Sequence, residues 1–226
     1  MTRDGNLAAA TRRRRAAAVA GHRHDEPGAR RYLHDPEGEV RATALGALHR
    51  AGALRSSDLE AALTDPDPEV RRRAAELVAA LAGAGAAAEV SLLPLLDDAD
   101  DTVVEVAAWA SGERDPAEPG AVPRLGELAS GADDALVREA AVAALGSIGD
   151  PAGLPAVLAA TRDKATVRRR AVLALAPFEG EEVDRALERA LGDRDWQVRQ
   201  AAEDLTATDP EPADDPRPAP EDESRS

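Results

Sequence analysis

The feature that most constrains this chain is a pattern that returns about every thirty residues. It consists of an acidic residue, two variable residues, Val, usually Arg, and then Ala at the fourth position beyond the Val. The first three copies read Glu37-Gly38-Glu39-Val40-Arg41, Asp67-Pro68-Glu69-Val70-Arg71 and Asp100-Asp101-Thr102-Val103-Val104. The others read Asp134-Ala135-Leu136-Val137-Arg138, Lys164-Ala165-Thr166-Val167-Arg168 and Asp195-Trp196-Gln197-Val198-Arg199. By subtraction, successive valines are 30, 33, 34, 30 and 31 residues apart. The alanine recurs without exception, as Ala44, Ala74, Ala107, Ala141, Ala171 and Ala202. A fixed period of this length marks a chain built of stacked units, each burying its apolar face against the next.

The chemistry of one unit reads as a helix start. The acidic residue (Asp163, one position early, in the fifth copy) is placed to cap a second helix. Pro68 falls at a first helical position, where a missing amide costs nothing. Val and the Ala four later share one face, and the small Ala lets a neighbouring helix approach closely. The Arg after Val sits near a positive helix end, so its purpose is read as hydrogen bonding to Asp residues of its own and neighbouring turns, such as Asp35, Asp65 and Asp193. Shorter first helices are predicted over residues 57–64, 87–96, 121–130, 152–161 and 181–191. Pro123 and Pro155 fall in first turns, and Pro94 lies deep enough to kink its helix. Glycines at 83–85 and at 149 separate consecutive hairpins.

Composition agrees with close helix packing. The 226 residues are 43% apolar but only 2% aromatic, so the core is built from Ala, Leu and Val rather than from the large residues a β-sandwich favours. Cysteine is absent, which excludes disulfides, thiolate metal sites and cysteine nucleophiles. The net charge is −15: residues 1–31 carry eight Arg against three acids, residues 209–226 carry seven acids against two Arg, and the remaining −15 lies between them. An acidic body repels phosphate backbones at long range. The apolar stretch at 16–20 is too short for a secretion signal and no segment is long enough to span a bilayer, so a cytoplasmic protein is expected.

These residues resemble a known family. Ile148-Gly149-Asp150-Pro151-Ala152 with Leu154-Pro155, together with the acidic-x-x-Val-Arg turn, are similar to HEAT repeats, and most closely to the variety named after the phycobilin (PBS) lyases. The resemblance covers about residues 25–206 and implies an all-α fold, a right-handed α-solenoid of six HEAT-like hairpins. It says little about activity, since such repeats serve unrelated tasks. Residues 1–24 read as an N-terminal capping helix (7–20, or a half-repeat) and loop, with Arg12, Arg13, Arg14 and Arg15 wetting its outer side. Residues 25–208 form the solenoid, and 209–226 form a disordered acidic, proline-rich tail. Five residues after each Val stand Leu45, Ala75, Ala108, Val142 and Val172, but Glu203 in the last copy, which marks the final unit.

On a helical wheel with Val at zero, positions +2, +6 and +9 point away from the core, toward the expected concave face. The +2 and +6 columns supply the candidate partner-binding groove: Arg72, Glu76, Glu105, Trp109, Glu139, Arg169, Leu173 and Gln200. Trp109 has two readings, an interface anchor or a filler of a gap left where Val104 replaces Arg. Trp196 is placed in a hairpin turn at the surface.

The preferred function is a non-enzymatic protein–protein interaction scaffold, monomeric, with no catalytic residue, cofactor or metal. One alternative is nucleic-acid binding in the manner of HEAT-like DNA glycosylases, prompted by the basic runs at 12–15, 71–73 and 168–170. Acids close to each Arg favour a salt-bridged helix face instead. A second alternative is an auxiliary that handles a cofactor or chromophore, as the lyase resemblance implies. A deoxyhypusine-hydroxylase-like di-iron site would need repeated His-Glu pairs, whereas His22, His24, His34 and His49 form none.

Overall fold

The computed structural model describes residues 3–81 and 90–207. Its helices are α1 (Arg3–His22), α2 (Glu26–Arg30), α3 (Gly38–Arg50), α4 (Ser56–Leu63), α5 (Pro68–Ala80) and α6 (Asp101–Gly112). They continue as α7 (Ala121–Gly131), α8 (Ala135–Ile148), α9 (Leu154–Ala160), α10 (Ala165–Ala174), α11 (Glu181–Leu191) and α12 (Trp196–Thr206). Short 3-10 turns occupy Leu93–Asp97 and Pro151–Gly153, and no strand occurs among the described residues. The predicted acidic tail lies outside them.

The pattern residues start the second helices. Asp67, Asp100, Asp134 and Asp195 each accept a hydrogen bond from the backbone amide two residues on, at 3.0, 3.0, 2.6 and 2.9 Å. Such a cap contributes about 1 kcal/mol. Two copies depart from the expectation. Glu37 occupies the cap position without a side-chain bond, its longer side chain being poorly suited to the short reach. Asp163 accepts only from the Lys164 amide and is otherwise bound to Arg138, so it does not cap α10.

Packing makes two layers. Helices α1, α3, α5, α6, α8, α10 and α12 form one row in which each touches the next. The first elements of the hairpins lie against this row, with α7 reaching both the turn at Leu93–Asp97 and α9, and α9 reaching α11. The result is an α-solenoid. Helix α1 packs on α3 in the same row.

The repeated valines and alanines are the joints of that row. Val40, Val70, Val103, Val137, Val167 and Val198 are at most 2% exposed, and all six alanines at the fourth position beyond are fully or almost fully buried. The fifth-position column is buried from Leu45 to Val172 and ends on exposed Glu203, as a terminal unit requires. Close approach is extreme where the ninth position is glycine. A Cβ on Gly112 would stand 2.7 Å from Ala144 Cα, and one on Gly146 would stand 2.6 Å from Ala174 Cα. In these two copies the ninth position faces the next helix rather than the open face expected for it.

A ladder of ion pairs runs beside this core. Arg41 grips Asp65 through Nε and Nη2 at 2.8 and 2.6 Å, and Arg71 grips Asp98 at 2.7 and 2.8 Å. Arg138 grips Asp163 at 2.6 and 3.0 Å, and Arg168 grips Asp193 at 2.9 and 2.8 Å. Arg13 of α1 holds Asp35 the same way, so it is a rung and not the solvent-wetted residue expected of that run. The carboxylate always belongs to the following repeat. The remaining nitrogen of the guanidinium, Nη1, returns to a carbonyl of its own hairpin turn: Asp35 for Arg41, Asp65 for Arg71, Ala132 for Arg138 and Asp163 for Arg168.

This planar fork is geometry that only Arg supplies. The hydrogen bonds from Arg71, Arg138 and Arg168 hold Asp98, Asp163 and Asp193 below the usual carboxylate range, against an opposing push from burial. At Asp65 burial is the largest influence and pushes upward, yet Arg41 and the Asp67 amide outweigh it.

The third repeat breaks the regularity twice. Its first helix, expected over 87–96 with a kink at Pro94, is reduced among the described residues to the 3-10 turn Leu93–Asp97. Pro94 cannot donate to a helical ladder, and the Leu92 amide is taken by Glu118 Oε2 at 3.0 Å. Leu92, Leu95 and Leu96 are still buried, so the core is preserved. Between α6 and α8, moreover, both partners of the rung are exchanged: Val104 stands for the Arg and Ala132 for the Asp. Val104 is 5% exposed, and Ala132 packs against the same core. In the fifth hairpin the predicted helix 152–161 is divided into the turn Pro151–Gly153 and α9.

Candidate protein-interaction face

The side of the second-helix row that faces away from the first helices carries the +2 and +6 columns. Among the described residues, two of the grooves that open on it differ in chemistry. The first, of 740 Å³, lies over α1, α3 and α5 and is lined by Arg14, Glu39, Arg50, Glu69, Arg73 and Glu76 among others. Its floor is Gly46, where a Cβ would meet Arg73 Nη2 at 2.7 Å, so the glycine makes room for that guanidinium. Most of these charges are already paired. Arg14 holds Glu39, Arg72 holds Glu69 and Glu76, and Arg73 shares Glu76. The hydrogen bond to Glu69 is the main influence raising the Arg72 pKa.

The second groove, of 530 Å³, lies between α6 and α8. Trp109 and Leu136 form its apolar walls, with Val106, Ala140 and Ala143 between them and Glu105, Glu139 and Arg170 at the rim. Trp109 is 44% exposed and Leu136 is 56% exposed, so two large apolar side chains on neighbouring helices meet water in one place. Val104 and Ala132, at the places of the missing arginine and its carboxylate, both pack on the core.

The pattern of HEAT repeats matches residues 56–146, 87–176 and 122–206, which together span most of the described stack. The chain belongs to the HEAT-repeat family. No curated protein matches it. Among solved structures, a designed armadillo repeat protein in complex with the peptide (KR)4 is similar with a TM-score of 0.60 and 23% identity, over 79% of this chain and 97% of the other. The complex of CpcE and CpcF of phycocyanin lyase from Nostoc sp. PCC7120 gives 0.54 and 20%, over 66% of this chain and 96% of the other. The YibA structure from E. coli gives 0.58 and 16%, over 89% and 73%. At these identities the likeness is one of fold.

Within this HEAT stack the eight candidate residues fall into separate places. Glu105, Trp109 and Glu139 come together in the α6–α8 groove, whereas Glu76 lines the polar groove and Arg72 is spent on Glu69 and Glu76. Arg169 is exposed on α10. Leu173 is half-buried and packs on the small core that joins α10 to α12, while Gln200 donates to Asp204 at 2.8 Å. Leu136 was not among the candidates, although the sequence holds a signal for it. The position before each Val reads Glu39, Glu69, Thr102, Leu136, Thr166 and Gln197, polar in every copy but one.

The basic runs are largely consumed by the fold. Arg13, Arg14, Arg71, Arg72, Arg73, Arg168 and Arg170 each contact a carboxylate, the last at 3.5 Å from Glu139. Among the described residues no group of three or more His, Asp or Glu is placed to hold a metal ion, and no helix is long and apolar enough to cross a membrane. Trp196 begins α12 and is 65% exposed.

Proposed function

We propose that this HEAT stack is a non-enzymatic interaction scaffold that docks a segment of a protein partner in the groove between α6 and α8. The observation that carries the reading is the pair Trp109 and Leu136, exposed together on one open face. A contiguous apolar patch rimmed by polar groups marks an interaction surface, and Trp is the residue most enriched among binding anchors. The peptide bound by the similar armadillo design and the pairing of the two lyase chains give precedent for stacks of this shape acting through partners. Arginines engaged in rungs and i,i+4 pairs are poorly available to phosphates, which favours a protein partner over a nucleic acid.

The test is site-directed photocrosslinking from position 143 in the floor of the groove, with the Trp109→Ala/Leu136→Ala double variant as control. The reading expects one partner segment crosslinked in the parent protein and lost in the control, with the helical content of the two proteins equal. Crosslinking that survives removal of both side chains contradicts it.

A further inference from the structure

The α6–α8 groove also carries a charge order that specifies what kind of segment fits it. Glu105 lies one helical turn before Trp109, on the same face, and makes no hydrogen bond or ion pair among the described residues. Arg72, which feels its charge, is already held by Glu69 and Glu76. Glu139, at the same repeat position on α8, is touched only by Arg170 at 3.5 Å, beyond a good charge-assisted bond. At that position on α10 stands Arg169, exposed and without a carboxylate partner among the described residues. The second-position column therefore runs negative, negative, positive across α6, α8 and α10, with Trp109 and Leu136 beside its acidic part.

On the reading of this groove as a docking site, we propose that its occupant is an extended segment with a basic residue, a central aliphatic residue and an acidic residue. The cation lies on the face of Trp109 with Glu105 beside it, where ring quadrupole and carboxylate attract it together. The aliphatic residue covers Leu136, and the acid meets Arg169. Neighbouring helices in such a row are about 8–10 Å apart, so α6 to α10 spans about 20 Å. An extended chain rising about 3.3 Å per residue covers this with about six residues. A wholly basic segment would place a cation against Arg169, and a wholly acidic one would set an anion against Glu105. The occupant is thus a dipolar segment rather than a polycation, although the protein carries a net charge of −15.

A displayed library of random short peptides, selected on the intact protein and counter-selected on Trp109→Ala, tests this. Affinities of the enriched peptides are then read from Trp109 fluorescence in a Trp196→Phe background, where it is the sole indole. The proposal expects enrichment of basic–aliphatic–acidic peptides. It also expects binding about tenfold weaker in Glu105→Gln and weakened to a lesser degree in Arg169→Gln. Enrichment of uncharged or polybasic peptides, or affinities unmoved by Glu105→Gln, overturns the charge assignment while leaving the groove as a docking site. If counter-selection on Trp109→Ala leaves no enriched peptide, the groove itself is not the site, and both readings then fall.

Discussion

The junction between α5 and α6 and the junction between α6 and α8 solve one problem in two ways. Both bury the repeat valine and the alanine four residues on, and both bring helices close enough for small residues to touch. The first adds a bidentate Arg71–Asp98 rung, while the second has Val104 and Ala132 at the corresponding places. Neither leaves an orphan. A lone Arg at 104 would lack its carboxylate, and a lone Asp at 132 would be an anion without its fork, but the joint exchange removes both charges. The continuity of the stack therefore resides in the apolar joints, and at the junctions from α3 to α10 the rungs are accessories whose two partners are present or absent together.

If that is right, apolar truncations should dominate whichever junction they touch. Leu77→Ala on α5 and Leu145→Ala on α8 remove side chains that are 2% and 1% exposed. Each is expected to cost about 2–5 kcal/mol in chemical denaturation, with no advantage to the salt-bridged side. A much smaller loss at Leu77 would assign the ladder a larger share than it has here.

Breaking one rung from one side comes next. Asp98→Ala leaves the largely buried Arg71 fork without its acceptor and should cost about 1–3 kcal/mol, less than a fully buried pair because solvent reaches its edge. Ala132→Ser, at the apolar rung, should fall within about 0.5 kcal/mol of the parent, since a small hydroxyl at that half-exposed site can reach water. Equal losses at the two positions would erase the distinction between the junctions.

Acid should separate the two kinds of junction as well. The folded-state Asp98 carboxyl lies below its ordinary value of 3.8. Its contribution is therefore complete about one pH unit above that value and drains away as pH falls through the folded value. Relative to a protein in which Arg71→Val and Asp98→Ala are combined, the parent should hold a constant stability difference above about pH 5 and lose part of it as pH falls below. Parallel pH profiles would mean that the rung titrates no differently folded than unfolded.

The smallest effect is expected at the open face. Trp109→Ala removes a ring that is already half in water, so the cost should be about 1 kcal/mol or less, a shift of about 2–4 °C in Tm. A loss several times larger would make Trp109 part of the junction instead of part of a binding surface.

Much of this architecture was legible in the chain because a period expresses packing directly. Val and Ala could recur at fixed spacing only if the same contact recurred, and the structure buries all of them. The need of each Arg for Asp partners was legible too, but not the direction. A sequence does not show that the fork reaches forward to the next repeat while Nη1 turns back to a carbonyl of its own hairpin. In two copies the ninth position was misassigned because a wheel treats a helix as isolated, whereas Gly112 and Gly146 are shaped by a neighbour 2.7 and 2.6 Å from where their Cβ would be. The candidate face was partly visible. Trp109 stands out in any column, but Leu136 had to be compared with its polar counterparts in the other repeats, and Leu173 looked equally exposed until α12 was seen to cover it. The short first element of the third hairpin follows from Pro94 acting with a tertiary contact, the Leu92 amide bound by Glu118, which no local pattern announces.

The most direct test of interchangeable rungs on common joints is a double-mutant cycle at Arg71 and Asp98, followed by urea denaturation. Arg71→Val and Asp98→Ala should each destabilise the protein, and the combined variant, which reproduces the residues found at 104 and 132, should return to within about 1 kcal/mol of the parent. Losses that simply add in the combined variant would contradict the account, because the ladder and not the apolar joint would then be holding those helices together.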